Sequence, residues 1–233
     1  MVGEKSLFFD AGPIITLVMS RLHWILPKLK EKFGGKFYIT PAVKYELVDR
    51  PLNVKRYKLE ALQVNKMICE GLLEVYTNVP KSRATKLINL ANSSFKLNGK
   101  NMDIMQAGEV ESVVCALQEN AAGVVMDERT LRLLIENNRK MKRLLESRFK
   151  KKVEVNNGKM DEFSSQFKGL KIIRSIELAS VAYKMGLLDS YGKCIKNKQS
   201  NIVDAILWAT KFNGCAVTEH EIDEISRILL GKL

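Results

Sequence analysis

Four acidic residues stand where an α/β sheet could gather them into a metal site. Asp10 follows a short apolar run and precedes a helix that contains Pro13, while Asp127 follows a second apolar run. Open parallel sheets carry their chemistry at the carboxyl ends of strands. Glu46 lies at the edge of a helix, and Glu109 opens another. Carboxylate oxygens suit Mg²⁺ or Mn²⁺, and a water activated by such an ion can attack a phosphodiester.

Each of these acids also has a purely structural explanation. Asp127 could cap the helix that follows it, Glu109 and Glu111 could complement a helix dipole, and Glu46 could be solvated. The joint pattern favours a shared site, because two acids at strand ends and two at helix edges occur in this order. Clustered carboxylates repel one another, and a bound cation relieves that repulsion.

The elements that would position these acids follow a strand–helix rhythm. Strands that alternate with helices imply a largely parallel sheet that is covered on both faces. We therefore predict an α/β fold, a three-layer α/β/α sandwich with a central parallel sheet of about five strands. The runs that predict these strands are residues 7–9, 36–39, 73–76, 123–126 and 170–174.

Several helix boundaries are visible in the sequence. Thr40 is a predicted N-cap, since Pro41 suits the first turn of a helix. Gly186 is typical of a helix C-terminus. Thr218 and Glu221 have the spacing of a capping box before a last helix at residues 222–230.

The charge of the chain favours a polyanionic partner. Lys and Arg total 38 against 26 acids in 233 residues, a formal net charge of +12, and such an excess favours nucleic acid. Residues 137–168 interrupt the strand–helix rhythm and are interpreted as an insertion with a basic helix and a hairpin, within a single domain of residues 1–233 that ends in a helical extension at 196–233. The cations predicted to bind nucleic acid are Arg139, Lys140, Lys142, Arg143, Arg148, Lys150, Lys151 and Lys152.

Other classes of protein fit the sequence less well. The four cysteines form no CxxC pair and have only His23 and His220 beside them, which argues against a zinc site. Gly12 stands where an Asp-x-Asp phosphatase needs an acid, and the glycine pattern of a dinucleotide-binding fold is absent. No apolar stretch approaches the roughly 20 residues of a membrane span. We expect reduced thiols, no membrane association and a cytoplasmic location.

The segments around the acids, taken in order, resemble the PIN-domain family of α/β nucleases. Each motif alone is weak, but the ordered set is fairly specific. The resemblance covers most of the chain apart from the basic insertion and residues 80–105. Its motifs are residues 9–17 (FDAGPIITL), 39–48 (ITPAVKYELV), 107–117 (AGEVESVVCAL), 124–129 (VVMDER) and 169–188.

The resemblance implies a set of roles. It makes Asp10, Glu109 and Asp127 the metal-site acids and adds Glu46 as a fourth catalytic acid. It implies Mg²⁺ or Mn²⁺ as cofactor, cleavage of single-stranded RNA, a homodimer and, where the protein is a toxin, an antitoxin partner. The family usually has Ser, Thr or Asn at the position of Gly12, so the lost hydroxyl or amide leaves open a PIN-like RNA- or protein-binding module with little catalysis.

The sequence can also be aligned with the same family in a second register. Residues 203–210 followed by 214–219 resemble the closing half of the toxin-type PIN domain. In that register Asp204 and Glu219 would replace Glu109 and Asp127. The first register leaves a further strand and helix downstream, which a five-stranded sheet requires.

Overall fold

The computed structural model describes residues 5–105, 107–136 and 138–231, without the side chains of residues 107–109, 136 and 138. Its strands are β1 (Ser6–Phe9), β2 (Lys36–Ile39), β3 (Glu74–Val75), β4 (Phe95–Leu97), β5 (Lys100–Asn101), β6 (Gly123–Val125), β7 (Val153–Val155) and β8 (Ile172–Ile173). Its α-helices are α1 (Ala11–Met19), α2 (Leu26–Phe33), α3 (Pro41–Lys44), α4 (Lys58–Cys69), α5 (Lys81–Asn92), α6 (Ala107–Gln118), α7 (Arg129–Glu136), α8 (Asn138–Phe149), α9 (Asn157–Ser165), α10 (Ser175–Lys184), α11 (Lys198–Phe212) and α12 (Glu219–Leu229). Short 3₁₀ or π-helical turns cover His23–Ile25, Tyr45–Asp49, Pro51–Asn53, Lys55–Tyr57 and Asp189–Gly192.

The central sheet has five strands in the order β3-β2-β1-β6-β8, and every neighbouring pair is parallel. Four of these strands fall within predicted runs, and β1 begins one residue before the run at residues 7–9. The predicted α/β sandwich with a five-stranded parallel sheet is therefore confirmed. Because all five strands point the same way, their carboxyl ends share one edge of the sheet.

The buried strand β1 separates two apolar layers. Leu7 and Phe9 pack into one core, with helices α1, α2, α4, α10, α11 and α12. Phe8 packs into the other, with helices α5 to α9. Successive side chains of a strand point to opposite faces, so a continuous apolar run is what a sheet covered on both sides requires.

The predicted helix starts at Thr40 and Thr218 are confirmed, and both caps bond to groups three residues further along the chain. The Thr40 hydroxyl accepts a hydrogen bond from the Val43 amide at 3.3 Å, and Pro41 is the first residue of α3. At the start of α12, the Thr218 hydroxyl accepts from the Glu221 amide, and the Glu221 carboxylate accepts from the Thr218 amide. Both caps satisfy amides that helix geometry leaves without partners.

The hairpin predicted within residues 137–168 is not formed. Strand β7 pairs antiparallel with β4, which itself pairs with β5 to make a three-stranded sheet. The expected turn after β7 is instead the start of α9, because the Asn156 side chain accepts a hydrogen bond from the Lys159 amide at 3.1 Å. The basic helix is present as α8.

The C-terminal segment contributes to the main core. Val203 and Leu207 of α11 and Ile222 of α12 are buried with the residues of α1 and α10. Among the described residues, none of the helices combines the length and apolar character that a membrane span requires.

Candidate active site

Two of the predicted acids meet at the start of α1. Strands β1 and β6 are parallel neighbours, and the Asp10 amide donates to the carbonyl oxygen of Val125 at 2.9 Å. A Cβ atom built at Gly12 would lie 3.7 Å from Asp10 Oδ2 and 3.5 Å from Asp127 Cβ. The carboxylate of Asp10 and the Cβ atom of Asp127 therefore border the space beside Gly12, at the carboxyl end of the sheet.

The Asp127 side chain is buried and fixed by hydrogen bonds from two other elements. Its Oδ2 accepts from the Thr16 hydroxyl at 2.7 Å, and its Oδ1 accepts from the Ser175 amide at 2.8 Å. Its exposed fraction is 2%. It does not cap the helix that follows it, because the Leu131 amide donates to Glu128 instead, at 2.7 Å. Asp127 thus joins β6 to α1 and α10 and is held in one orientation.

Thr16 was assigned no role from the sequence. It is fully buried and lies one helical turn after Gly12, on the same face of α1. Its hydroxyl reaches Asp127 from the helical turn that follows Gly12. The sequence did contain a sign of this role, because Thr16 lies four residues after Gly12 in an otherwise apolar helix.

The segment after α11 closes the space around Asp127. The Ala216 amide donates to the Asp127 carbonyl oxygen at 3.2 Å. A Cβ atom at Gly214, which has a φ of +134°, would lie 3.0 Å from Thr16 Oγ1, so glycine is required there. Burial first and the charge of Asp127 second raise the pKa of the Cys215 thiol to about 12, which keeps this thiol protonated. Cys215 therefore packs at the site as a neutral group.

The other two predicted acids are placed differently. Glu46 lies exposed in the π-helical turn and faces a groove beside α1. The backbone of Glu109 lies in the first turn of α6, but its side chain lies outside the described residues. One turn further along, the Ser112 hydroxyl lies 3.4 Å from the carbonyl oxygen of Phe9, so α6 packs against the end of β1.

A full set of metal ligands is not brought together by the side chains that the structure describes. Among them, no group of three His, Cys, Asp or Glu residues could hold a metal ion. Asp10 and Asp127 remain as a pair of hard oxygen donors. A pair fits Mg²⁺, which keeps several waters and is commonly held by one or two carboxylates together with substrate phosphates. Whether Glu109 completes the site stays a prediction.

The residues of the second register do not face this space. Asp204 is exposed on α11, and Glu219 forms an exposed ion pair with Lys211 at 3.2 Å. No strand is assigned to residues 213–217, and the fourth and fifth strands of the sheet are β6 and β8. This part of the chain contacts Asp127 through the Ala216 amide and the Cys215 thiol, and neither Asp204 nor Glu219 takes part.

The basic segment forms an exposed face. In α8, Met141 and Leu145 are buried, which turns the cationic positions outward. A cavity of about 790 Å³ separates α8 from the β4–β5 turn, and both Arg148 and Glu128 line it. Glu128 directly follows Asp127, so this cavity leads from the basic face toward the carboxyl end of β6. All eight cations predicted to bind nucleic acid are exposed except Lys142, which is half-buried and pairs with Glu146 at 3.8 Å.

An ion-pair cluster fixes the end of β8. Arg174 lies 2.6 Å from Glu177 and 2.9 Å from Glu221, which joins α10 to α12. Burial alone would raise the pKa of Glu221, but hydrogen bonds from Thr218 and the charge and hydrogen bond of Arg174 outweigh it and lower the pKa to about 2. Because Arg174 directly precedes Ser175, these ion pairs also fix the position of the Ser175 amide, which donates to Asp127.

No protein-family model and no curated protein matches this sequence. The resemblance to PIN domains therefore rests on the ordered motifs and stays a prediction.

Proposed function

We propose that this chain is a metal-dependent endoribonuclease of PIN type that cleaves single-stranded RNA. The observation that supports it most is the pair Asp10 and Asp127, which follow neighbouring parallel strands and both lie beside Gly12. Two carboxylates of separate strands at this edge are the arrangement expected for a hard divalent cation.

The roles of the side chains follow from their surroundings. Asp10 is half-buried, so part of its side chain reaches solvent. Thr16 and Ser175 hold the Asp127 carboxylate in one orientation. The lone pairs of its oxygens that accept no hydrogen bond therefore point in fixed directions. When bound, Mg²⁺ or Mn²⁺ would supply charge stabilisation and an activated water.

Electrostatics supports RNA as the substrate. The net charge of +12 attracts a polyanion, and the cations of α8 and of residues 150–152 are exposed. The cavity beside α8 extends to Glu128, next to Asp127. Phosphate contacts along this face would position a strand without reading its sequence.

Cleavage of labelled single-stranded RNA tests the proposal. With Mg²⁺ or Mn²⁺ the wild-type protein should cut, and EDTA should stop the reaction. Asp10→Asn keeps the shape of the side chain but removes a charge, so it should suppress turnover while the fold is retained. Asp204→Asn is the matched control, since Asp204 is exposed on α11 and is needed only in the second register. Equal loss in both variants, or metal-independent cleavage, would contradict the proposal.

A specific observation favours a second candidate, an RNA-binding module with little catalysis. Both carboxylate oxygens of Asp127 already accept hydrogen bonds, and Gly12 offers no hydroxyl. For this candidate, RNA binding should persist and depend on salt, while no RNA is cut with either metal.

A further inference from the structure

A groove lined mainly by apolar side chains lies beside α1. We call it the α1–α4 groove; it is a cavity of about 660 Å³ between α1, the turns of residues 45–57, α4 and the end of α11. Large apolar side chains remain exposed along it, which is unusual for a monomeric surface unless it binds something. They include Ile15, Met19, Val54, Tyr57 (41% exposed) and Phe212 (75% exposed).

The α1–α4 groove reaches residues that pack around Asp127. Glu46, one of the predicted site acids, lines it, and so do Asn213 and Gly214. The carbonyl oxygen of Asn213 lies 3.4 Å from Thr16 Oγ1, which donates to Asp127. A strand whose phosphate sits at Asp10 and Asp127 would therefore have a neighbouring nucleotide beside this groove.

Cations are interleaved with the aromatic rings at its rim. The Arg56 guanidinium lies 5.5 Å from the centre of the Tyr57 ring, and Arg50 lines the groove. Residues 44–58 carry five cations against two acids. Phe212 stacks on Trp208 at 5.3 Å, with Lys211 over the Trp208 ring. Aromatic faces for bases and cations for phosphates are the two components of a single-strand binding surface.

Glu60 contributes a polar group to the groove. Its Oε2 is buried and has no hydrogen-bond partner among the described residues, although Glu60 lines the groove. A buried acceptor of this kind calls for a hydrogen-bond donor, and the N–H groups of a base can supply one. Guanine offers two adjacent N–H groups on its Watson–Crick edge, whereas uracil flanks its single N–H with carbonyl oxygens that a carboxylate repels.

We propose that the α1–α4 groove binds one unpaired base of the RNA, with Tyr57 and Phe212 as stacking surfaces and Glu60 as the acceptor that favours guanine. This inference rests on the proposed function for its choice of RNA as ligand. It adds the nucleotide that the protein recognises beside the scissile phosphate.

Binding without cleavage tests the proposal. The full chain in EDTA would be titrated into fluorescently labelled oligouridines of roughly seven nucleotides, with or without one central guanine. Wild type should bind the guanine-containing RNA about 10-fold more tightly. Tyr57→Ala and Phe212→Ala should each weaken that binding about 10-fold. Tyr191→Ala, which removes an exposed aromatic that does not line the groove, is the matched control and should change nothing.

Glu60→Gln separates stacking from base recognition. It keeps the size of the side chain and presents an amide in place of the carboxylate, so the preference for guanine should disappear while binding to oligouridine is unchanged. A preference that survives Glu60→Gln, or equal binding by wild type, Tyr57→Ala and Phe212→Ala, would overturn the proposal. So would a dimer in sedimentation that Phe212→Ala converts to monomer, since the groove would then be covered by a second copy.

The readouts keep this proposal apart from the proposed function. If cleavage fails but binding depends on Tyr57, Phe212 and Glu60, the groove is a base site of a non-catalytic module. If Asp10→Asn abolishes cleavage but the groove variants bind as wild type does, the nuclease stands and the base site does not.

Discussion

Thr16→Val should destabilise the protein more than any other exchange of a buried threonine for valine in the part of the chain that the structure describes. The substitution keeps the β-branched shape and replaces the hydroxyl by a methyl group. Thr16 is fully buried, and its hydroxyl donates at 2.7 Å to Asp127, whose exposed fraction is 2%. The change therefore removes one of the hydrogen bonds that hold a buried carboxylate in place.

The size of the effect follows from the charge of the acceptor. A hydrogen bond to a charged group contributes about 1.5–3 kcal/mol to the free energy of unfolding. When a charged acceptor is left buried without its donor, the loss is at the upper end of that range. We expect Thr16→Val to lower the free energy of unfolding by about 3 kcal/mol. Thr210→Val is the matched control, because Thr210 is equally buried but its hydroxyl donates to the neutral carbonyl oxygen of Leu207 at 2.8 Å. Its cost should stay near 1 kcal/mol.

Urea unfolding followed by tryptophan fluorescence and circular dichroism gives both values. Thr16→Ser should recover most of the loss, since it restores the donor and removes only a methyl group. If Thr16→Val and Thr210→Val lose the same free energy, the bond from Thr16 does not hold Asp127, and its fixed orientation must have another cause.

Three further changes have defined outcomes. Gly12→Ser should be accommodated and raise the free energy of unfolding by about 0.5 kcal/mol in urea, because its Cβ meets only ordinary contacts and serine favours helix over glycine; a loss above about 1 kcal/mol would show that the space is closed. Replacing Lys150, Lys151 and Lys152 with Ala should lower the salt dependence of RNA binding by roughly one unit of slope per lost phosphate contact, and an unchanged slope would leave these residues as a solvated face. Because the folded-state pKa of Glu221 is lowered from 4.5 to about 2, its contribution to stability is present above pH 4.5 and is lost as the pH falls toward 2. Glu221→Gln should flatten the acid-induced loss of stability over that interval, and an acid denaturation profile that matches wild type would contradict this.

Much of the fold could be predicted because its signals are local or repeat along the chain. The five apolar runs each became a strand of the parallel sheet, and the caps at Thr40 and Thr218 involve residues only three positions apart. The partner of β7 could not be predicted, because β4 lies more than fifty residues earlier in the sequence. A short run of alternating residues indicates a strand but carries no information about a distant partner.

The surroundings of Asp127 show the same limit within the candidate site. The acid itself was visible as a carboxylate after an apolar run. The amides of Ser175 and Ala216 that bind it were not, because a backbone donor leaves no trace in the choice of side chain. Glu46 lies exposed in the π-helical turn of Tyr45–Asp49, and the helical pattern around Pro41 did not indicate this turn.

Titration of the metal-free protein with Mn²⁺ in a calorimeter tests the central claim most directly, because Asp10 and Asp127 are proposed to hold a divalent cation. Wild type and the control Asp204→Asn should show the same saturable binding, and Asp10→Asn should show none while its circular dichroism spectrum is unchanged. Binding that persists in Asp10→Asn, or no binding by the wild-type protein, would contradict the account.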